Sequence, residues 1–272
     1  MKDYSRFAIH TFTTKPWPLA VAVEKYAAAG VSGISVWKES LEGMKPAAAA
    51  ALIRHAGLST VSMVRGGFFP APDAESRRAK IEDNLALIRA SAELEAPMIV
   101  LVCGGDPRVP IAEARQQVRK GIEAILPEAE RLGIRLAIEP LHPMYADNRS
   151  VVNTMKQANN LCEEIGHPGL GVAVDVYHIW WDPELESEIA RCGRLGKIFA
   201  FHVCDWRTPT VDMLNDRGLP GEGCIDIPGI RAWVEKAGFS GFVEVEIFSN
   251  RLWSMDQDVY LQMIKKAWEE HA

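Results

Sequence analysis

The stretch GVAVDVYH, residues 171–178, holds the reading of this chain. A short run rich in valine, apolar throughout, ends on an aspartate, as a parallel β-strand buried on both faces would if it delivered Asp175 to the sheet's carboxyl edge. Three further stretches repeat the plan: RLAIEP (135–140) ends on Glu139, IFAFHVCDW (198–206) carries His202, and GFVEVEIF (241–248) carries Glu246. Glu139 to Asp175 is 36 residues, Asp175 to His202 is 27, and His202 to Glu246 is 44. One strand–helix–strand repeat takes roughly 30 residues, so each gap holds about one crossover helix.

Four more apolar runs complete the set: RFAIH (6–10), GISVW (33–37), STVSMV (59–64) and PMIVLVC (97–103). Helical patterns lie between and after the strands, at 18–29, 45–56, 74–94, 111–131, 153–165, 184–195, 228–237 and 256–270. Gly30, Gly57, Gly133, Gly166 and Gly238 each fall just past a helix, where a left-handed cap favours glycine. Eight strands alternating with eight helices predict an α/β fold, a single (β/α)8 TIM barrel, with 1–272 as one domain. An open doubly wound sheet is the competing arrangement; no GxGxxG or GxxxxGK[ST] fingerprint supports it.

Composition sets the outer bounds. Apolar residues make up 48% of the chain, enough for a large continuous core. A net charge of −6 and a pI near 5.7 argue against a generic nucleic-acid surface, which needs a basic face. No stretch approaches the roughly 20 apolar residues of a membrane span, and MKDYSRFAIH has no signal-peptide apolar region. Cys103, Cys162, Cys192, Cys204 and Cys224 are odd in number and form no CxxC pair, which suits reduced thiols and a cytoplasmic location.

Three carboxylates and an imidazole at strand ends have ordinary explanations one at a time: an ion pair for each carboxylate, a core hydrogen bond for the histidine. Together they do not. Carboxylates about 4 Å apart repel by roughly 4 kcal/mol per pair at an effective dielectric near 20, so the cluster needs protons or a cation. Glu139, Asp175, His202 and Glu246 are therefore expected to hold one divalent metal. The donor set favours Mn²⁺, with Mg²⁺, Co²⁺, Fe²⁺ and Zn²⁺ also compatible. Cys204 shares the strand face of His202 but is expected at a different depth. Trp17, Trp37, Trp180, Trp181, Trp206 and Trp253 fall at or just after strand ends, where aromatic faces pack against a sugar ring; Trp233 and Trp268, on helices, are expected in the core. His10 and Lys38 also end strands and are expected to reach the pocket.

With those residues in place the chain resembles a known family. IEPLHP (138–143), VDVYH (174–178), FHVCDW (201–206) with DRGLPGEG (216–223), and VEVEIF (243–248) look like the xylose isomerase-like TIM barrels, the sugar phosphate isomerase/epimerase family. The resemblance implies a single metal held by Glu139, Asp175, His202 and Glu246, with His178 and Arg217 contacting substrate oxygens. It also implies proton transfer beside a carbonyl through an enediolate, Glu139 and Glu246 each serving as ligand and as acid or base. Apurinic endonucleases of the same superfamily use additional His and Asp ligands for three metals. Here the third and fourth strands end in Met63-Val64-Arg65 and Val102-Cys103-Gly104, with no histidine, so one metal is expected.

The chain departs from the family's ketose 3-epimerases at one place. They read E-P-x-N and carry a further glutamate six residues after the first ligand; this chain has His142 and Tyr145 within EPLHPMYADNRS. Either could help a leaving oxygen depart, since proton abstraction beside a ketone also starts β-elimination. The expectation is a metal-dependent keto-sugar isomerase or epimerase. The alternatives are a lyase or dehydratase of keto-inositols or 3-keto-glycosides, and a non-catalytic sugar-binding barrel. The expected partner is a small sugar or keto-polyol, not nucleic acid or membrane; base rates for assemblies point to a homo-oligomer, a dimer or tetramer.

Overall fold

The computed structural model describes residues 3–272, so the first two residues of the expected 1–272 span lie outside it. Its strands in chain order are β1 Phe7–His10, β2 Gly33–Trp37, β3 Ser59–Gly67, β4 Met98–Val102, β5 Arg135–Glu139, β6 Leu170–Asp175, β7 Ile198–Val203, β8 Asp205–Trp206, β9 Arg217–Gly218 and β10 Val243–Val245. The helices are α1 Leu19–Ala28, α2 Pro46–His55, α3 Ala74–Glu93, α4 Ile111–Arg131, α5 Met155–Ile165, α6 Val176–Ile179, α7 Leu185–Arg194, α8 Ile227–Lys236, α9 Asn250–Trp253 and α10 Gln257–His271. Eight parallel strands close in the order β1-β10-β7-β6-β5-β4-β3-β2, which is the predicted (β/α)8 barrel. Among the described residues no helix is long and apolar enough to cross a membrane.

Alternation along the strands separates two layers. Leu136 and Ile138 of β5 join a large core shared with the surrounding helices. Ala137, between them, packs with Val64, Met98, Val100, Ala173 and Ala200 on the opposite face, the barrel interior. The next residues on that inner face are Glu139 above Ala137, Asp175 above Ala173 and His202 above Ala200. Interstrand register puts Asp175 opposite His202, and His202 opposite Glu244. An apolar plug thus fills the lower barrel while polar groups crowd its mouth.

The helix ends follow local chemistry. Asp73 and Thr154 accept hydrogen bonds from the backbone N–H groups of Ser76 and Gln157, capping α3 and α5. Gly166 ends α5 at φ +67°, the left-handed geometry expected of it.

Three features differ from the sequence expectation. β3 runs on to Gly67, three residues past the expected end. β8 and β9 form a small antiparallel pair, Asp205 opposite Gly218 and Trp206 opposite Arg217, too short to show a period. β10 covers only Val243–Val245, shorter than the run GFVEVEIF, so Glu246 follows the strand rather than lying in it.

Candidate metal centre

Glu139, Asp175, His202 and Glu246 each offer a donor atom within 4.8 Å of the others, and all four are buried. β5, β6, β7 and the residue just after β10 bring them together from four places in the chain. His202 Nδ1 lies 3.0 Å from Glu139 Oε1. Asp175 Oδ1 accepts from the Tyr177 N–H at 2.9 Å, capping the short α6 and fixing the carboxylate's rotamer.

Compensation for this negative charge is richer than the sequence reading allowed. The resemblance implied only a substrate contact for Arg217, whereas at 3% exposure it is embedded in the donor cluster. Its Nη1 donates to Asp175 Oδ2 at 3.1 Å and to Glu246 Oε2 at 2.9 Å, and its guanidinium stacks over Tyr177 and Phe248. The β8–β9 pair carries it there. Asp205 locks that loop by accepting from the backbone N–H groups of Trp206, Gly221 and Ile225 at 2.8, 3.0 and 3.0 Å.

Glu244 was missed, although it shares the inner face of Glu246 by the period of two. Its Oε2 accepts from Ser35 at 2.5 Å and lies 3.2 Å from His10 Nε2, and its Oε1 lies 3.8 Å from His202 Nε2. His202 Nε2 has no hydrogen-bond partner among the described residues. Glu244 is therefore placed to orient the imidazole from the side away from Glu139, as carboxylates behind metal-binding histidines do. His10 sits beneath, edge-on to His202, with Nδ1 3.0 Å from Glu246 Oε1 and 3.3 Å from Trp37 Nε1. One nitrogen cannot both donate to Glu246 and accept from Trp37. Glu246 has the closer contact, and although burial lowers the His10 pKa, Glu246 and Glu244 outweigh it and raise it. His10 is thus tied into the floor, and the cavity above is lined by other residues.

His178, at 3% exposure, takes its Nε2 to 3.1 Å from Arg217 Nη2. Burial, then the Arg217 charge, holds its pKa well below the ordinary value, so the ring is neutral. Arginine only donates, so Nε2 accepts and the ring proton sits on Nδ1, which is buried without a partner. His178 lines a cavity of about 30 Å³ with Glu139, Glu246, Arg217 and Tyr145. His142 and Trp206 stand beside it instead, packed together at 5.0 Å, with Trp206 stacked on Tyr177 at 4.8 Å. Cys204 Sγ lies 3.8 Å from Arg217 Nη1, and burial drives its pKa well up. Trp37 lines the cavity, whereas Trp17 packs outward on Tyr26. Lys38 borders a groove outside the barrel mouth. All five cysteines are unpaired, four buried and Cys224 exposed.

The donor set fits a divalent cation: three carboxylates and an imidazole nitrogen are hard or borderline ligands in one buried cluster. Protons compete with such an ion for the same atoms. Burial opposes charge on His202, yet Glu244, Glu139 and Glu246 push its pKa up to about 10. Burial pushes Asp175 up to about 7 against the pull of Arg217. Both must be deprotonated to coordinate.

Two outcomes are expected. Metal affinity should rise about tenfold per pH unit between roughly pH 7 and 9, as His202 releases one proton per ion, and more steeply below pH 7 where Asp175 releases another. Calorimetry in buffers of different ionisation enthalpy reads this directly; a pH-independent affinity would remove the proposed proton displacement. Glu244→Gln should weaken metal binding about 10- to 100-fold although it supplies no ligand. An unchanged affinity would reduce Glu244 to a partner of His10.

Comparison with known proteins agrees with this architecture. The family model described as the xylose isomerase-like TIM barrel matches residues 23–269. A solved structure of a protein from Sinorhizobium meliloti 1021 superimposes with a TM-score of 0.96 at 43% identity, covering 99% of both chains. Inosose isomerase of Bacillus subtilis (strain 168) is 28% identical over 160 residues, 56% of this chain and 55% of the relative, so the match spans about half of that enzyme. 3-Dehydroshikimate dehydratase of Pseudomonas putida is 27% identical over 241 residues, 84% of this chain but 36% of that protein. The buried donor cluster and these enzyme relatives support a metal-dependent enzyme. The chain belongs to the xylose isomerase-like TIM barrels.

Proposed function

We propose that this protein is a divalent-metal-dependent isomerase or epimerase of a keto-sugar or keto-polyol, moving a proton beside the carbonyl through an enediolate. The observation that carries the reading is that Glu139 and Glu246, two members of the donor cluster, line one cavity. A divalent ion, Mn²⁺ by preference for this donor set, would polarise the carbonyl and its neighbouring hydroxyl as a Lewis acid. Glu139, Asp175, His202 and Glu246 would hold it.

The chain's own groups then divide the work. Glu139 comes from β5 and Glu246 from the end of β10, three strands away around the barrel. Carboxylates reaching the cavity from two sides suit a proton removed on one face of a carbon and returned on the same or the other. His10, Arg217 and His202 outweigh the effect of burial on Glu246 and hold its pKa well below the ordinary value, so it stands ready as a carboxylate. Arg217 and the Nδ1–H of neutral His178 are donors for substrate oxygens, including the one on which charge develops.

Size bears on access. About 30 Å³ is room for roughly one water, whereas a sugar needs several hundred. Residues 207–216 place Leu214 against the cavity, with the Met213 carbonyl accepting from Tyr145 and, at 3.5 Å, from Tyr177. Val211 and Met213 are otherwise exposed, so this segment is the part that can swing out to admit substrate.

A second reading has its own support. Tyr145, rather than a further carboxylate, lines the wall where ketose 3-epimerases carry a glutamate. A phenol there suits protonation of a leaving oxygen, and a dehydratase is among the relatives. Elimination from a keto-inositol or 3-keto-glycoside would then follow the same first proton abstraction.

Solvent deuterium followed by NMR, with Mn²⁺ present, separates these outcomes. Label beside the carbonyl in a recovered or isomeric sugar is the expected result; loss of water or an aglycone would move the assignment to a lyase. Glu246→Gln should lower turnover about 10²- to 10⁴-fold while ligand still binds. Unchanged biological activity in that variant would favour a barrel that only binds sugar.

A further inference from the structure

Among the described residues, two cations at the mouth of this cavity have no counterion. Arg65, just after Val64 in β3, and Arg149, in the loop before α5, line the same space as Glu139, Glu246 and His178. Among the described residues neither guanidinium has a carboxylate within 4.0 Å. Neither side chain donates a hydrogen bond, and Arg65 Nε is buried with no partner at all. Other partly buried arginines behave differently: Arg191 pairs with Glu188, Arg207 with Asp216, and Arg217 with Asp175 and Glu246.

Aromatic rings hold both groups in place. The Arg65 guanidinium lies 5.4 Å from the Trp37 ring and 4.9 Å from that of Phe68, and Arg149 lies 5.7 Å from the ring of Tyr145. These contacts fix planes but neutralise nothing. Burial, and then the nearby Arg149 charge, presses the Arg65 pKa down; Glu39, Glu246 and Glu139 pull the other way from longer range. Arg65 also borders a groove of about 710 Å³ between β3 and α3, but Arg149 does not, so the space the two share is the one above the donor cluster. Once a divalent ion engages Glu139 and Glu246, the uncompensated charge at that wall is positive, with up to ten N–H donors unspent.

We propose that the substrate carries an oxyanion, a carboxylate or a phosphate ester, which is received between Arg65 and Arg149 while its carbonyl end faces the donor cluster. This rests on the isomerase or lyase reading of the same site and adds the class of substrate. Arginine suits the role because its planar fork meets the oxygens of either anion two at a time. A neutral sugar would leave both cations facing it unpaired.

The test uses metal-loaded protein and matched probes: fructose, psicose, sorbose and tagatose, each as the neutral sugar, the uronate and the 6-phosphate. Calorimetric affinity and solvent-deuterium exchange are measured on every compound. Charge-assisted hydrogen bonds of this kind predict that an anionic member binds about 10- to 100-fold tighter than its neutral counterpart. Arg65→Gln and Arg149→Gln should each erase most of that margin, with metal stoichiometry reporting that the variant is folded. A uronate ranking first assigns a carboxylate, a 6-phosphate ranking first a phosphate ester. Equal or tighter binding of the neutral sugars, or a margin that survives both substitutions, would overturn the proposal. An anionic margin in binding without exchange in any compound would sink the proton-transfer reading and leave this one standing. Exchange and binding equal for neutral and anionic members would do the reverse.

Discussion

Four carboxylates buried at one end of a barrel are the constraint around which this structure is arranged. Glu139, Asp175, Glu244 and Glu246 are each 5% exposed or less. At a separation of about 4 Å each pair costs roughly 4 kcal/mol even at an effective dielectric near 20, so a fold that kept them unpaired would be strongly penalised. Three groups at the barrel mouth answer that cost. Arg217 is brought in on the β8–β9 pair and tied down by Asp205, His10 is wedged beneath Glu244 and Glu246, and His202 sits between Glu139 and Glu244. Protons and one guanidinium cover the charge only partly, which is why the cluster is suited to a divalent ion.

Such a cluster is affordable only because the barrel separates its layers. The helices pack on one face of each strand and complete a large apolar core, while the lower interior is plugged by small and branched side chains such as Ala137, Ala173, Ala200 and Val100. Parallel register then sets Asp175 opposite His202 and His202 opposite Glu244, so that residues from remote positions meet. Function accordingly concentrates at the carboxyl ends of the strands, where loops can vary without disturbing the plug.

The parts legible from sequence were those that short-range pattern controls. Apolar runs ending in Glu139, Asp175, His202 and Glu246 named the barrel and the four side chains that it gathers, because strand period and repeat length are local properties. Helix limits fell within one or two residues, since Asp73, Thr154 and the cap glycines act on their own neighbours. Glu244 shared the face of Glu246, but its partners Ser35 and His10 lie more than 200 residues away and no local signal connects them. The family resemblance proposed Arg217 as a substrate contact, whereas its pairing with Asp175 and Glu246 follows from a two-residue strand pair. Arg65 and Arg149 look like ordinary surface arginines in the sequence; their lack of a partner is a statement about three-dimensional surroundings alone.

Glu139, Asp175, His202 and Glu246 are proposed to share one cation at the barrel mouth. Anomalous diffraction from crystals grown with Mn²⁺ tests it most directly, because it locates the ion without reference to activity. The expected result is one strong peak per chain, within coordination distance of all four side chains. A mouth without a peak, with Arg217 still bonded to Asp175 and Glu246 and the ion bound elsewhere, would contradict it.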